Sequence, residues 1–365
     1  MQRVLVILTV SILVAVSLGV GALAANWPFW QRAWQWHHAA GAWPAQLAGP
    51  VERVRGGADA QQLQFHADAS LVPVAATATT RLLLRANTAG QVDAFFAPGF
   101  SAGSQVDGRG LSGAVLAPLF AVLGGQHPGL LDLPVAQALP AWHGDPRGQI
   151  TARQLFWHLS GLPALSGHAL NPFGVRARLN SGPDFARAAL HWPVAFPPGT
   201  HFEESPVNAQ LLSLVAAAHG GASYARVLEQ QLWSRFAADD ALLLLDHRRG
   251  NVAAHCCLRA TAADWVRLAL LLAADGRSGR AELWTRGYMA QVTQSSPVHN
   301  GYGLGFQLLP YGEHVALSLR SYGRHLLIAP DTQMVLLWVG EGEPPPGLEQ
   351  LLLAHSARSS EPGGD

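Results

Sequence analysis

Residues 150–163 read ITARQLFWHLSGLP, and two independent signals in this stretch open a helix. Thr151 followed by Gln154 is a capping box, in which each side chain satisfies a backbone N–H that the first helical turn leaves without a partner. Leu155, Phe156 and Leu159 then share one face, and Gly161 supplies the stop. The device recurs at 258–276, LRATAADWVRLALLLAADG. There Thr261 to Asp264 caps the start, and Trp265, Leu268, Ala269 and Leu272 recur at i, i+3, i+4 and i+7. Gly276 ends the helix.

Outward from this helical middle the pattern changes to strands. Arg81 to Arg85 (RLLLR) and Gln91 to Ala97 (QVDAFFA) flank the turn-forming residues Asn87 to Gly90 and read as a hairpin. Beyond Asn300, four further runs suggest an antiparallel sheet: Tyr302 to Leu309, Val315 to Leu319, His325 to Ala329 and Met334 to Val339. Strands at both ends around a helical centre imply an α+β fold of the α/β-sandwich kind. One antiparallel sheet is assembled from N- and C-terminal segments, with helices on its faces and a helical insertion. A helix from Gly347 to His355 closes the body, and Ser359 to Asp365 reads as a polar, disordered tail. The organisation expected is a signal or membrane anchor over 1–25, a juxtamembrane linker over 26–70, the folded domain over 71–345, and the final helix and tail over 346–365.

The run from Val4 to Ala24 holds only apolar residues, Ser, Thr and Gly behind Arg3, so it is a targeting or anchoring segment. Its length suits a bilayer-spanning helix, while Ala22-Leu23-Ala24 also offers a signal-peptidase site. Trp27, Trp30 and Trp34 follow at helical spacing, beside Trp36, as an interfacial aromatic belt would, which favours a retained anchor. The body then faces away from the cytoplasm: inner-membrane anchored and facing the periplasm of a bacterial envelope, or periplasmic if the signal is cleaved.

Lys+Arg and Asp+Glu both number 24, so no basic surplus points to nucleic acid. All 24 cations are arginine, and the sequence contains no lysine. The two cysteines are the neighbours Cys256 and Cys257, which form no disulfide framework and read as small buried side chains. His158 and His255, each among apolar residues, read as hydrogen-bonded core histidines. The 16 histidines show no paired zinc spacing, and His37-His38 fall in the linker, so neither a metal nor another cofactor is expected.

Several stretches taken in order resemble the serine β-lactamase and penicillin-binding-protein superfamily, in the branch of class C β-lactamases, DD-peptidases and 6-aminohexanoate-dimer hydrolases. They are FAPGF (Phe96 to Phe100), LLDLPVAQALPAW (Leu130 to Trp142), ITARQLFWHLSGLP, FPPGTHFEES (Phe196 to Ser205), LRATAADWVRLALLLAADG and GYGLGF (Gly301 to Phe306). The resemblance implies a serine nucleophile, a lysine three residues later that takes its proton, and a tyrosine on a second motif. Aligned from FAPGF, the nucleophile position is Gly110 and the lysine position Gly113. The tyrosine motif falls on Glu204-Ser205-Pro206, with Glu204 for the tyrosine. The third motif falls on Ser321, Tyr322 and Gly323, where only the glycine survives.

Without lysine, no serine here has a lysine base, and a guanidinium stays protonated at any working pH. The expectation is a non-catalytic homologue whose cleft binds a peptidoglycan-like or amide-like ligand, or a protein partner. The alternative is an amide or ester hydrolase with a rearranged nucleophile at Ser112, the nearest hydroxyl, which otherwise reads as a helix cap.

Overall fold

The computed structural model describes residues 2–38, 48–75 and 79–352. Thirteen strands among these residues form three sheets. They are β1 Val51–Val54, β2 Gln64–Ala67, β3 Thr80–Asn87, β4 Gln91–Phe96, β5 Gln105–Asp107, β6 Ala241–Leu244, β7 Leu258–Thr261, β8 Arg277–Ser278, β9 Ala281–Glu282, β10 Gln307–Tyr311, β11 His314–Ser321, β12 Arg324–Ala329 and β13 Met334–Gly340. The helices are α1 Gln2–Ala25, α2 Trp27–His38, α3 Val72–Ala75, α4 Leu116–Gln126, α5 Ala152–Phe156, α6 Val175–Ser181, α7 Phe185–Leu190, α8 Val207–Gly220, α9 Tyr224–Gln231, α10 Ala262–Ala273 and α11 Tyr288–Val292.

The main sheet runs β10-β11-β12-β13-β3-β4-β2. The last strand lies antiparallel against an early one, with Leu337 opposite Leu84, so the sheet is assembled from both ends of the chain. Its central strands are buried on both faces, which is why they read as unbroken apolar runs. On β3, Leu82 and Leu84 enter the large core under the helices, while Leu83 enters a second core with Leu71, Trp338, Leu348 and Leu352. Residues 348–352 are helical; the rest of the expected C-terminal helix and the polar tail lie outside the described residues.

Four expectations need correction. The segment read as linker carries structure: β1 extends a four-stranded sheet ordered β1-β6-β7-β5, and β2 pairs in parallel with β4 at the edge of the main sheet. α2 docks on α6, burying Phe29, Arg32, Ala33 and Trp36. The strand expected from Tyr302 begins at Gln307, with Tyr302 itself only bridging to Gln307. Cys256 is buried as expected but is joined to Cys257 by a disulfide, with Cys257 in left-handed backbone at φ 75°. The helix opened by Thr151 has its capping box and stops at Phe156. His158 takes φ 55°, its N–H bonds Leu155 O, and Leu159 N–H bonds Gln154 O at 2.8 Å, the pattern of a left-handed helix cap usually made by glycine.

Candidate functional site

A cavity of about 250 Å³ lies between β11, the tight turn Arg109–Val115, the end of α5 and the start of α8. Gly110, Gly113, Glu204 and Pro206, four of the positions singled out in the sequence, line it. Ser321 adjoins it, and its Oγ accepts the Gly110 N–H at 3.2 Å. A Cβ added at Gly110 would sit 3.1 Å from both Cβ and Oγ of Ser321, so that hydroxyl crowds the space a side chain at 110 would enter. At Gly113 a Cβ would meet nothing within 4 Å.

The remaining positions lie elsewhere. Tyr322 is exposed, and its carbonyl accepts from Arg109 Nη1 at 2.7 Å. Gly323 has φ 71°, and a Cβ there would lie 2.4 Å from Gly340 O, so the two-residue turn between β11 and β12 requires glycine. Ser112 is buried and does not line the cavity; its Oγ accepts the Leu258 N–H at 3.0 Å. This corrects two readings of Ser112. It is neither a hydroxyl facing the cavity nor a helix cap, but a side chain that completes the hydrogen bonding of β7.

The turn that carries Gly110 is fastened by arginines. Arg324 Nε donates to Asp107 O at 3.1 Å and its Nη1 to Gly323 O at 2.6 Å, tying the Arg109 turn to the β11–β12 turn. Burial, reinforced by the neighbouring Arg109, lowers Arg324 to about 10, and burial raises the Asp107 carboxyl. A guanidinium at about 10 is still charged near neutrality and cannot serve as a base there.

The sequence reading missed His158 as a cavity residue. Its Nδ1 accepts from the Ser205 N–H at 3.1 Å and from Asn208 Nδ2 at 2.9 Å, which leaves the proton on Nε2. Ser160 Oγ orients Asn208 by donating to its Oδ1 at 2.8 Å. Burial pushes His158 down to about 4, so it is a neutral donor whose other nitrogen is occupied. A histidine in left-handed backbone costs about 1 kcal/mol or more, and this anchoring network over-determines it. No spacing in the sequence betrays such a conformation.

His255 and Tyr302 also line the cavity. His255 Nδ1 faces Gln210 Oε1 at 3.2 Å, where Gln210 is fixed by the Ala254 N–H and the Val252 carbonyl, and His255 Nε2 faces the Asn180 side-chain amide at 3.2 Å, so both ring nitrogens are engaged. Burial raises the Tyr302 phenol, and nearby Glu204 adds to the effect. Ser205, also on the wall, donates its hydroxyl to Pro163 O at 2.8 Å. Ser318 and His325 do pair, at 3.0 Å, but both are buried and neither lines the cavity. Thus no serine hydroxyl lining the cavity, among the described residues, is joined to a nitrogen base.

The buried histidines set a pH dependence. Burial holds His255 at about 3 and both His158 and His325 at about 4, all below the unfolded value near 6.5, so the unfolded chain takes up these protons first. Stability is then full above about pH 6.5 and falls as pH drops toward about 4. The three sites together remove about 4 kcal/mol by about pH 5.5. Denaturant unfolding across this range should follow that slope, and His255→Gln with His325→Gln, which leaves His158 in place, should cut it to about a third. An equal slope in the double variant would contradict the assignment.

Similarity to known proteins agrees with this architecture. The chain resembles in structure a Bacillus anthracis protein assigned as a 6-aminohexanoate-dimer hydrolase, with TM-score 0.69 at 16% identity over 90% of this chain and 92% of that one. It also resembles a penicillin-binding protein from Bacillus halodurans, with TM-score 0.54 at 17% identity over 77% and 97% of the two chains. A D-alanine carboxypeptidase AmpC from Burkholderia cenocepacia gives TM-score 0.53 at 16% identity over 80% and 96%. At these identities the likeness concerns the fold. No curated protein matches by sequence. The β-lactamase family model matches residues 119–357, well over half of the sequence, starting beyond the Gly110 to Gly113 turn. On that match and the shared fold, the chain belongs to the β-lactamase family.

Proposed function

We propose that the protein is a non-catalytic member of its family that binds a ligand in the cavity between β11 and the helices. The observation that carries this reading is chemical. The two wall positions where the resemblance implies a nucleophile and its base are Gly110 and Gly113, and the sequence holds no lysine to act from anywhere else. A serine hydroxyl needs a base within hydrogen-bond reach to attack a carbonyl. What the cavity offers instead is recognition: the neutral His158, the Tyr302 phenol, the Glu204 carboxylate at the rim and Arg320 from β11. Apolar walls with a few convergent polar groups suit a small amide-bearing molecule such as a peptidoglycan fragment. A place in the cell envelope is supported by residues 7–24 of α1, which have mean hydropathy 2.4 and are unburied, as in a membrane anchor or a signal segment.

The vacancy at Gly113 gives a direct test. Gly113→Trp starts from a position where an added Cβ meets nothing within 4 Å, so its indole should occupy the cavity. Soluble peptidoglycan fragments measured by calorimetry should bind the unmodified protein and lose about tenfold or more in affinity to this variant, at unchanged Tm. Equal binding by both proteins, or no binding to the unmodified one, would overturn the reading.

A further inference from the structure

Beside the junction of α1 and α2 lies a second hollow of about 490 Å³. Gly19, Ala22 and Leu23 from the last turns of α1 form one wall, and Pro172 and Pro183 face them from the body. Phe29 and Trp30 of α2 complete it. It shares Pro172, Arg178, Gly182 and Pro183 with an adjoining hollow of about 370 Å³ that also holds Asp184, Arg187 and His191. The two form one groove, apolar where it touches α1 and cationic at its far end.

The charges at that end are unbalanced. Neither the Arg178 nor the Arg187 guanidinium is within ion-pair distance of a carboxylate among the described residues. Asp184 Oδ1 is already engaged by the Arg187 N–H at 2.8 Å, where it caps α7. Next to the groove, Phe173 is 80% exposed and Trp27 61% exposed, large apolar surface that water does not favour.

From this we infer that the groove is a binding site for an anionic phospholipid, with an acyl chain against α1 and the headgroup phosphate on Arg178 and Arg187. The inference rests on the reading of α1 as a retained anchor. A single residue, Asn26, separates α1 from α2, and the body segment 172–183 shares a cavity with the last turns of α1. If α1 spans a bilayer, that segment lies at the level of the lipid headgroups, and the apolar end of the groove opens onto acyl chains. Guanidinium is well matched to phosphate by its planar pair of donors. Phe173, Trp27 and the exposed Trp34 then lie at the interface, where aromatic rings are favoured. Arg32, buried on the other side of α2, keeps the body against that surface.

The test uses the full chain in liposomes of phosphatidylcholine, with or without phosphatidylglycerol, carrying a trace of phosphatidylglycerol with a photoactivatable acyl chain. Crosslinked peptides are mapped by mass spectrometry. Crosslinks are expected in Phe29–Trp30 and in residues 170–183 as well as in α1. Arg178→Glu with Arg187→Glu should reduce those in 170–183 by about fivefold or more while leaving those in α1 unchanged. Crosslinks confined to α1, in protein that stays with the membrane through carbonate washing, would overturn the lipid site and leave the anchor standing. Protein released by carbonate would overturn the anchor first and the lipid site with it. Suppression of the 170–183 crosslinks by millimolar glycerol 3-phosphate would identify a soluble phosphate ester as the occupant and overturn the lipid assignment.

Discussion

Purified protein beginning at Asn26 is expected to hydrolyse neither nitrocefin, nor 6-aminohexanoate dimer, nor short-chain nitrophenyl esters above a serum-albumin control. In a serine protease, removing the nucleophile or its partner base lowers kcat by about a millionfold, and what survives, roughly a thousandfold or more over water, is due to binding and oxyanion stabilisation. Here both positions are glycine, and the cavity serines are engaged with backbone groups. Restoring chemistry takes more than two substitutions. Gly113→Lys enters open space, whereas Gly110→Ser brings a side chain to within 3.1 Å of Ser321, so Ser321→Gly belongs in the same variant. Turnover by the unmodified protein that disappears in Ser112→Ala would refute the placement of Ser112 behind the cavity wall.

Arg32→Leu is expected to destabilise the folded body by about 3–5 kcal/mol, lowering Tm on the order of 10 °C. The Arg32 side chain is fully buried, and its guanidinium donates to Ser181 O, Gly182 O and Asp246 O at 3.0–3.3 Å, lying 5.5 Å over the Phe185 ring. Burial lowers its pKa, with the Asp246 carboxylate acting in the opposite direction. Leucine fills part of the volume but leaves three buried carbonyls without donors, each costing about 1–3 kcal/mol. Arg32→Lys should recover part of the loss, because an ammonium can reach fewer of these acceptors. Removing everything before Ser70, which treats α2, β1 and β2 as dispensable, should yield insoluble protein. Unfolding midpoints of the Arg32 variants within about 2 °C of the unmodified protein would contradict this role.

The legible parts of the sequence were those where local chemistry and packing agree. Thr151 with Gln154, and Thr261 with Asp264, cap helices by hydrogen bonds made within four residues, so they can be read without the fold. The runs LLL in β3 and VLLWV in β13 announce strands covered on both faces. β1 and β2 were hidden because each is four residues long, largely exposed, and paired with a partner remote in sequence: Val51 with Leu244, and Gln64 with Gln91. The role of Arg32 was hidden for the opposite reason. A tryptophan-rich stretch suggests an interface, and nothing local says that its one arginine faces inward to three carbonyls from distant segments.

At the site, alignment placed Gly110, Gly113, Glu204 and Pro206, which all line the cavity. Alignment carries no side-chain direction, so it could not show Ser112 turned toward Leu258. Nor could it show His158, read as a core residue, held in left-handed backbone at the cavity wall by Asn208 and the Ser205 amide.

A covalent bond between a cavity side chain and an acylating or phosphonylating reagent separates an enzyme from a non-catalytic protein. Unmodified protein beginning at Asn26, incubated with a fluorophosphonate probe and separately with a penicillin, is weighed intact. The mass should be unchanged with both reagents. A stoichiometric adduct on any residue lining the cavity would mean that a nucleophile operates there, and the non-catalytic reading would be wrong.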